Sequence, residues 1–405
     1  MGRGGCSFVF SRLLCVFLRD CMKIMLSAGE ASGDLHGEGL AKAIHQLKPE
    51  AELIGFGGPK MAEAGVRLCA DMREYSIMGV WEVIKNLSRI FALLKKLTNF
   101  MAEEKPDLLV LIDYPDFNWR LAAKARKMGI PVFSYIPPSA WAWRKGRAKK
   151  CATLANELAA IFPFELPVYQ AAGANISFQG NPLIDMVKST MTVSEAREYF
   201  QVPADGEPVL LLPGSRKQEI QGLFPTMLEA AELLAKERPQ LRFYVPVASG
   251  IDEGVLAAMA AEHTVDIHFT HDKNYDLMNI GSFAIATSGT VVLEAAIMGL
   301  PCVALYRMAP LSYAIGKMLV KIDNFTLPNI LAGRAVQQEL LQDQVTGPKV
   351  YEAARRFYAE SGYKEQVLQG LQEAVAKLGA PGATARVAQR IVAAAEKYSR
   401  TEDIR

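Results

Sequence analysis

The sequence predicts an α/β chain built from two doubly wound domains, on three observations. Apolar runs of strand length alternate with helical-period segments almost throughout, the runs are apolar on both faces, and the series restarts once near the middle. Strands covered by helices on both sides lose the apolar–polar alternation of a half-exposed strand, so the pattern calls for parallel sheets.

In chain order, KIMLSA precedes a helix over about 37–48, AELIGFG precedes the short helical GPKMAEAG, and DLLVLID precedes a helix around 118–128. PVFSYIP and LAAIFPF complete a first domain over 22–180. FQGNPLIDMVKST, with Gly180, Asn181 and Pro182, reads as the hinge. A second domain, 181–348, runs from PVLLLPGSR through a helix over about 219–237, LRFYVPVA, DIHFT, FAIATSG, a helix over about 290–298 and PCVALYR. Residues 349–405, rich in Ala, Glu, Lys and Arg, are expected to form a helical tail.

A chain of 405 residues accommodates two or three domains, and a formal net charge of +2 gives no broad electrostatic footprint for nucleic acid. The six cysteines form no C-x-x-C pair, which suits a reducing cytoplasm and argues against a zinc site or disulfide framework. Residues 1–21 are apolar, but Arg12 interrupts them and no small-x-small cleavage site follows; we read them as an extension outside the fold. No other stretch reaches the roughly 18 apolar residues of a membrane span.

In open parallel sheets, ligands gather beyond the carboxyl ends of the strands. Four segments there carry candidate chemistry. Gly214-Ser215-Arg216 follows a strand of leucines, where a glycine admits a ligand to the backbone and a guanidinium can fork onto a phosphate. Ser288, Gly289 and Thr290 precede a helix whose free amides favour an anion, and Glu294 one turn later can accept two sugar hydroxyls. Together these two describe a nucleotide-diphosphate site in the second domain. Glu30, Ser32 and Asp34 occupy a glycine-bordered turn without the lysine of a P-loop or the G-x-G-x-x-G spacing, which points to hydroxyl binding or proton transfer. Asp113 and Asp116 follow a buried strand, where a carboxylate can serve as general base. Each segment also reads as an ordinary helix cap or turn. His263, His268 and His271 lack a metal-binding spacing.

Two further stretches suit a lipid surface. WEVIKNLSRIFALLKKL sets Trp81, Leu87 and Phe91 among lysines and arginines at helical spacing, and SAWAWRKGR sets Trp141 and Trp143 beside Arg144. Core packing is the competing explanation for the first.

AGEASGD, GGPKM, MGVWEV, DYPDFN, SAWAWR, LLPGSR, SGTVVLE and LPNILAGR, in this order over residues 27–334, resemble the lipid-A-disaccharide synthase family. The resemblance implies a GT-B-like fold: two Rossmann-like domains with an interdomain cleft, and a helical C-terminal tail returning to the first domain. It implies inverting, metal-independent transfer of 2,3-diacylglucosamine from UDP to 2,3-diacylglucosamine 1-phosphate (lipid X), forming a β-1,6 disaccharide, with no cofactor. Ser215, Arg216, Ser288, Gly289, Thr290, Glu294 and Asn329 of LPN would bind the UDP-sugar. Glu30, Ser32, Asp34 and Asp116 would bind and deprotonate the acceptor, with Asp116 the expected base and Glu30 its rival. The implied location is the cytoplasmic face of the inner membrane, with no nucleic-acid partner, and a homodimer through the tail is compatible with it. Asn181 stands where the family commonly has histidine, so no catalytic proton is assigned there. A UDP-sugar 2-epimerase or a non-catalytic nucleotide-sugar binder would share the architecture without needing the lipid-facing stretches.

Overall fold

The computed structural model describes residues 22–75, 87–140, 145–308 and 324–399. The chain forms two compact units, residues 1–182 with 382–405, and 183–381. The change of unit, after Pro182, falls within FQGNPLIDMVKST and two residues past the 180/181 boundary.

The first unit carries strands β1 (Lys23–Ala28), β2 (Glu52–Gly57), β3 (Arg67–Asp71), β4 (Leu108–Ile112), β5 (Val132–Tyr135), β6 (Glu157–Ala160) and β7 (Ile176–Phe178). They form one sheet in the order β3-β2-β1-β4-β5-β6-β7, and every pairing is parallel. Both faces are covered, as the two-sided apolar strands require. Ile24, Leu26 and Ala28 pack with Leu40 and Ile44 of helix Ala31–Leu47. Met25, between them, joins the opposite core with Leu93, Leu97 and Met101 of helix Leu87–Glu104 and Leu121 of helix Pro115–Lys127.

The second unit repeats the plan. β8 (Glu207–Leu212), β9 (Leu241–Pro246), β10 (Ile267–Thr270), β11 (Phe283–Thr287), β12 (Cys302–Tyr306) and β13 (Glu339–Leu341) pair in parallel in the order β10-β9-β8-β11-β12-β13. In each sheet the strand order reverses beside the first strand, between β1 and β4 and between β8 and β11, and this switch point is where an open sheet leaves a crevice.

The helical tail differs from its expectation. Only its last helix, Ala383–Ser399, belongs to the first unit, where Val387, Ala388, Ile391 and Ala395 pack with Leu40 and Ile44. Arg390 also pairs there with buried Glu157 at 2.6 Å. Helices Gly347–Ala359 and Tyr363–Ala376 remain in the second unit, because their apolar stripe of Val350, Ala354, Phe357, Val367 and Leu371 completes the core over helix Lys217–Glu237. Glu237 reinforces that contact by accepting hydrogen bonds from Arg355, Tyr351 and Tyr358.

Among the described residues, no helix is long and apolar enough to cross a membrane.

Candidate active site

The second unit holds the larger candidate site. Leu212 ends β8 in the core, and the chain then turns through Pro213 and Gly214 into the helix that begins at Lys217. Gly214 has φ +103°, a left-handed conformation that favours glycine, whereas the Glu219 carboxylate near its Cβ position could swing aside. Arg216 stands at the helix N-cap. Its guanidinium donates to Glu219 at 2.7 Å, while its side chain stays 81% exposed. A pair this open is weakly held, so Arg216 can turn to a stronger anion at little cost.

Across the switch point, β11 delivers Thr287, and Gly289 caps helix Thr290–Ile297. A Cβ on Gly289 would meet nothing within 4 Å, so the first turn of amides opens onto free space. Ser215, Arg216, Ser288, Gly289, Thr290 and Glu294 line one cavity of about 760 Å³. The sequence-predicted donor residues thus converge, Asn329 excepted.

Thr287, from the same strand-to-helix turn, also lines the cavity, whereas Tyr275, Lys188 and Thr190 do so without having been singled out from sequence. Thr287 Oγ1 is buried in the cavity wall with no hydrogen-bond partner among the described residues. Tyr275 donates to Glu294 Oε1 at 3.2 Å. Burial raises the Glu294 carboxyl above the ordinary glutamate range, with that hydroxyl opposing. Lys188 and Thr190 reach the rim because Asp276 anchors their segment: its buried carboxylate accepts from Ser189 Oγ, Thr190 N, Thr190 Oγ1 and Met191 N at 2.6–3.0 Å. Burial works against the charge of Asp276, yet these donors hold its pKa below the usual value.

Asn329 corrects the expectation that it binds the nucleotide. It is fully buried; Nδ2 donates to Gln337 O and Glu339 Oε1, and Oδ1 accepts from Val336 N and Gln337 N. All four hydrogen-bonding positions of the amide are spent on fastening helix Leu327–Ala332 to the segment entering β13.

At the first unit's switch point the turn of acids proves to be helical. The helix begins at Ala31, six residues before its expected start, so Glu30 is the N-cap and Ser32 and Asp34 lie in the first turn. Glu30 and Ser32 are exposed. Asp34 is the second correction. It is 2% exposed, and its carboxylate accepts from the amides of Gly58, Lys60 and Met61 at 2.8, 3.1 and 3.1 Å, which fixes GGPKM beside β1. A buried acid whose two oxygens accept three backbone donors acts as a staple between these segments.

Asp116 lies in the first turn of helix Pro115–Lys127 with its side chain 90% exposed, paired with Arg147 at 3.2 Å. Asp113, three residues earlier, has the properties expected of a base. Burial raises its pKa above the ordinary aspartate range, and the nearby charge of Glu30 adds to this. Asp113 and Tyr114 are consecutive non-glycine residues in the left-handed region, φ +48° and +50°. Such strain persists only where neighbours enforce it. Buried Asn118 does so, donating to Asp113 O at 2.8 Å while accepting from Ser27 Oγ of β1 at 2.7 Å. The Tyr114 ring occupies the space a side chain at Gly29 would need, 2.2 Å from a Cβ built there. The signal for Asp113 was visible as the D of DYPDFN at the strand end; its strain and burial were not.

Of the lipid-facing residues, Trp81, Trp141, Trp143, Arg144 and the Leu87 side chain lie outside the described residues. Phe91 is 54% exposed on helix Leu87–Glu104, whereas Leu93 and Leu97 are buried. The apolar stripe therefore divides between core and surface.

A family model described as lipid-A-disaccharide synthetase matches residues 24–391. The chain is 42% identical to the lipid-A-disaccharide synthase of Geobacter sulfurreducens over 366 residues, covering 90% of this chain and 95% of that protein. It is 39% identical to that of Trichlorobacter lovleyi, covering 93% and 98%. Among solved structures, the UDP-GlcNAc 2-epimerase of Neisseria meningitidis superposes with TM-score 0.63 at 14% identity, covering 92% of this chain and all of that one. The calicheamicin glycosyltransferase CalG4 gives 0.57 at 14%, covering 93% and 98%. Likeness at this level shows the fold: two parallel-sheet domains of GT-B type.

Proposed function

The chain belongs to the lipid-A-disaccharide synthase family, a glycosyltransferase-type enzyme of lipid A assembly, and from that premise we propose that it transfers 2,3-diacylglucosamine from UDP to lipid X with inversion, forming a β-1,6 linkage. The observation that carries the reading is the contrast between the switch points. One offers a guanidinium, a helix N-terminus and a free buried hydroxyl; the other offers a strained, half-buried aspartate beside a second acid.

In this mechanism Arg216 leaves Glu219 for the diphosphate, and the amides at Ser288–Thr290 stabilise the charge that grows on the departing nucleotide. Glu294, once released by Tyr275, accepts the hydroxyls of the ribose. In the first unit Asp113 takes the proton of the attacking 6-hydroxyl, replacing Asp116 in that role, because a raised carboxyl pKa better matches a hydroxyl being deprotonated. Glu30 keeps that pKa raised, and Ser32 supplies an exposed hydroxyl to the acceptor. Incubation with UDP-diacylglucosamine, with and without lipid X, tests the whole: UDP release should depend on the acceptor, and acceptor-independent release or none would overturn the reading.

Substrates with several acyl chains reside in a bilayer, so the protein works at the cytoplasmic face of the inner membrane, with exposed Phe91 among its contacts. Changing Trp81, Leu87 and Phe91 to serine should release it from vesicles without altering UDP affinity; unchanged partitioning would count against that placement.

A further inference from the structure

A hollow in the first unit takes no part in the mechanism above. On helix Pro115–Lys127, Asp116, Trp119 and Arg120 fall at i, i+3 and i+4; on helix Lys145–Leu154, Arg147, Lys150 and Cys151 repeat the spacing. Each trio therefore lies on one helical face, and the two faces meet around a cavity of about 140 Å³ closed by Pro115 and Pro138. Buried Trp119 and Cys151 make an apolar floor. The walls hold three cations, Arg120, Arg147 and Lys150, against the one carboxylate of Asp116, an excess of two positive charges.

Those cations are only loosely engaged. Asp116 meets Arg147 at 3.2 Å from a side chain that is 90% exposed, a contact a stronger anion can replace. Arg120 lies over the exposed Phe91 ring at 5.9 Å, and Lys150 has no ion-pair partner among the described residues.

We propose that this hollow binds the phosphomonoester of the acceptor, which rests on the transferase reading above. A phosphomonoester carries about −1.5 to −2 charge at neutral pH, which matches the excess, and its oxygens suit forked guanidinium donors. Pro115, which closes the hollow, follows the candidate base Asp113 by two residues. Tyr114 sits one residue before the helix that carries Asp116 and feels the charge of both Glu30 and Asp116. The anomeric phosphate and the 6-hydroxyl are carried on the two carbons that flank the hexose ring oxygen, so in this proposal one acceptor sets its hydroxyl at Asp113 and its phosphate in the nearby hollow. The site thereby selects a phosphorylated acceptor and orients it for attack.

The test compares wild type with the Arg120→Gln/Lys150→Gln double variant in the full chain, with a thermal melt to verify folding. The variant should raise KM for lipid X about tenfold, leave KM for its dephosphorylated counterpart and the affinity for UDP unchanged, and so lose the wild-type preference for the phosphorylated acceptor. A preference that survives, or an equal rise for both acceptors, overturns the proposal. Partitioning onto phosphatidylglycerol vesicles separates the other source of phosphate: a variant that leaves the vesicles but keeps its acceptor preference would assign the hollow to bilayer headgroups and overturn the proposal. Glucosamine 1-phosphate gives a readout independent of turnover. Its ³¹P line should broaden with wild type and not with the variant. An unbroadened line with wild type sinks the hollow, whereas absent UDP release sinks the transferase reading alone.

Discussion

The two units share one strand order and place their crevices at the same point, yet the crevices have opposite chemical character. After β8 and β11 come a positive-φ glycine, an exposed arginine and an open helix N-terminus. After β1 and β4 come a glutamate at a helix N-cap and an aspartate in a strained turn. The comparison teaches that topology fixes where a ligand binds, while the few residues after each inner strand fix which ligand.

The largest expected effect breaks this comparison at its acidic end. Asp113→Asn should lower kcat by about 10²–10⁴ with UDP affinity intact, whereas Asp116→Asn should lower it far less. Steady-state kinetics beside calorimetry decides it, and the reverse ranking would return the role of base to Asp116. Because burial and Glu30 raise the Asp113 pKa, the acid limb of kcat/KM should lie above the ordinary aspartate value, and activity should fall as pH drops through it. Removing the neighbouring charge in Glu30→Gln favours the ionised form, so the limb should move to lower pH.

The basic end comes next. Arg216→Ala should weaken UDP about 10–100-fold and uridine hardly at all, because the lost contact is to phosphate. Equal losses for both ligands would mean that Arg216 shapes the turn instead of gripping the diphosphate.

A third substitution separates staple from catalyst in the first unit. Asp34→Ala leaves three amides without their acceptor and should cost about 1–3 kcal/mol in urea unfolding. If stability were unchanged and turnover abolished, Asp34 would belong to the chemistry after all.

The smallest effect concerns the seam that holds the penultimate helices in the second unit. The hydrogen bond from Arg355, with those from Tyr351 and Tyr358, holds Glu237 down at about 2. A depressed folded-state pKa contributes stability above the unfolded value of about 4.3, and that contribution fades as pH falls toward 2. Glu237→Gln should therefore lose on the order of 1 kcal/mol or less at neutral pH, after solvent screening, with the difference from wild type closing over that acid window. A pH-independent difference would show that packing, not charge, is what the substitution removes.

Much of the fold was legible. The inner strands are long and apolar on both faces, and KIMLSA, DLLVLID, PVLLLPG and FAIATSG all proved to be strands at the centre of a sheet. The strands that periodicity missed are sheet edges: Ile176–Phe178 and Glu339–Leu341 have three residues each, and Arg67–Asp71 carries a charged residue at each end, so none presents a two-sided apolar run. The residues that line the second unit's cavity could be read because a positive-φ glycine, a capping glycine and an arginine are local signals. In the first unit, spacing cannot distinguish exposed Asp116 from half-buried Asp113 or fully buried Asp34.

By itself the sequence determined the alternation of strands and helices, the restart that makes two domains, and which residue types stand at each crevice, because backbone preference and apolar periodicity act over a few neighbouring residues. Only the tertiary structure decided that Asp34 is held by backbone amides and Asn329 by backbone groups and Glu339, that Asn118 holds the strained turn at Asp113, and that the tail divides between the units. Those outcomes depend on burial and on hydrogen bonds between residues far apart in the chain, 91 positions for Ser27 and Asn118 and 233 for Glu157 and Arg390, and no local pattern encodes such a pairing.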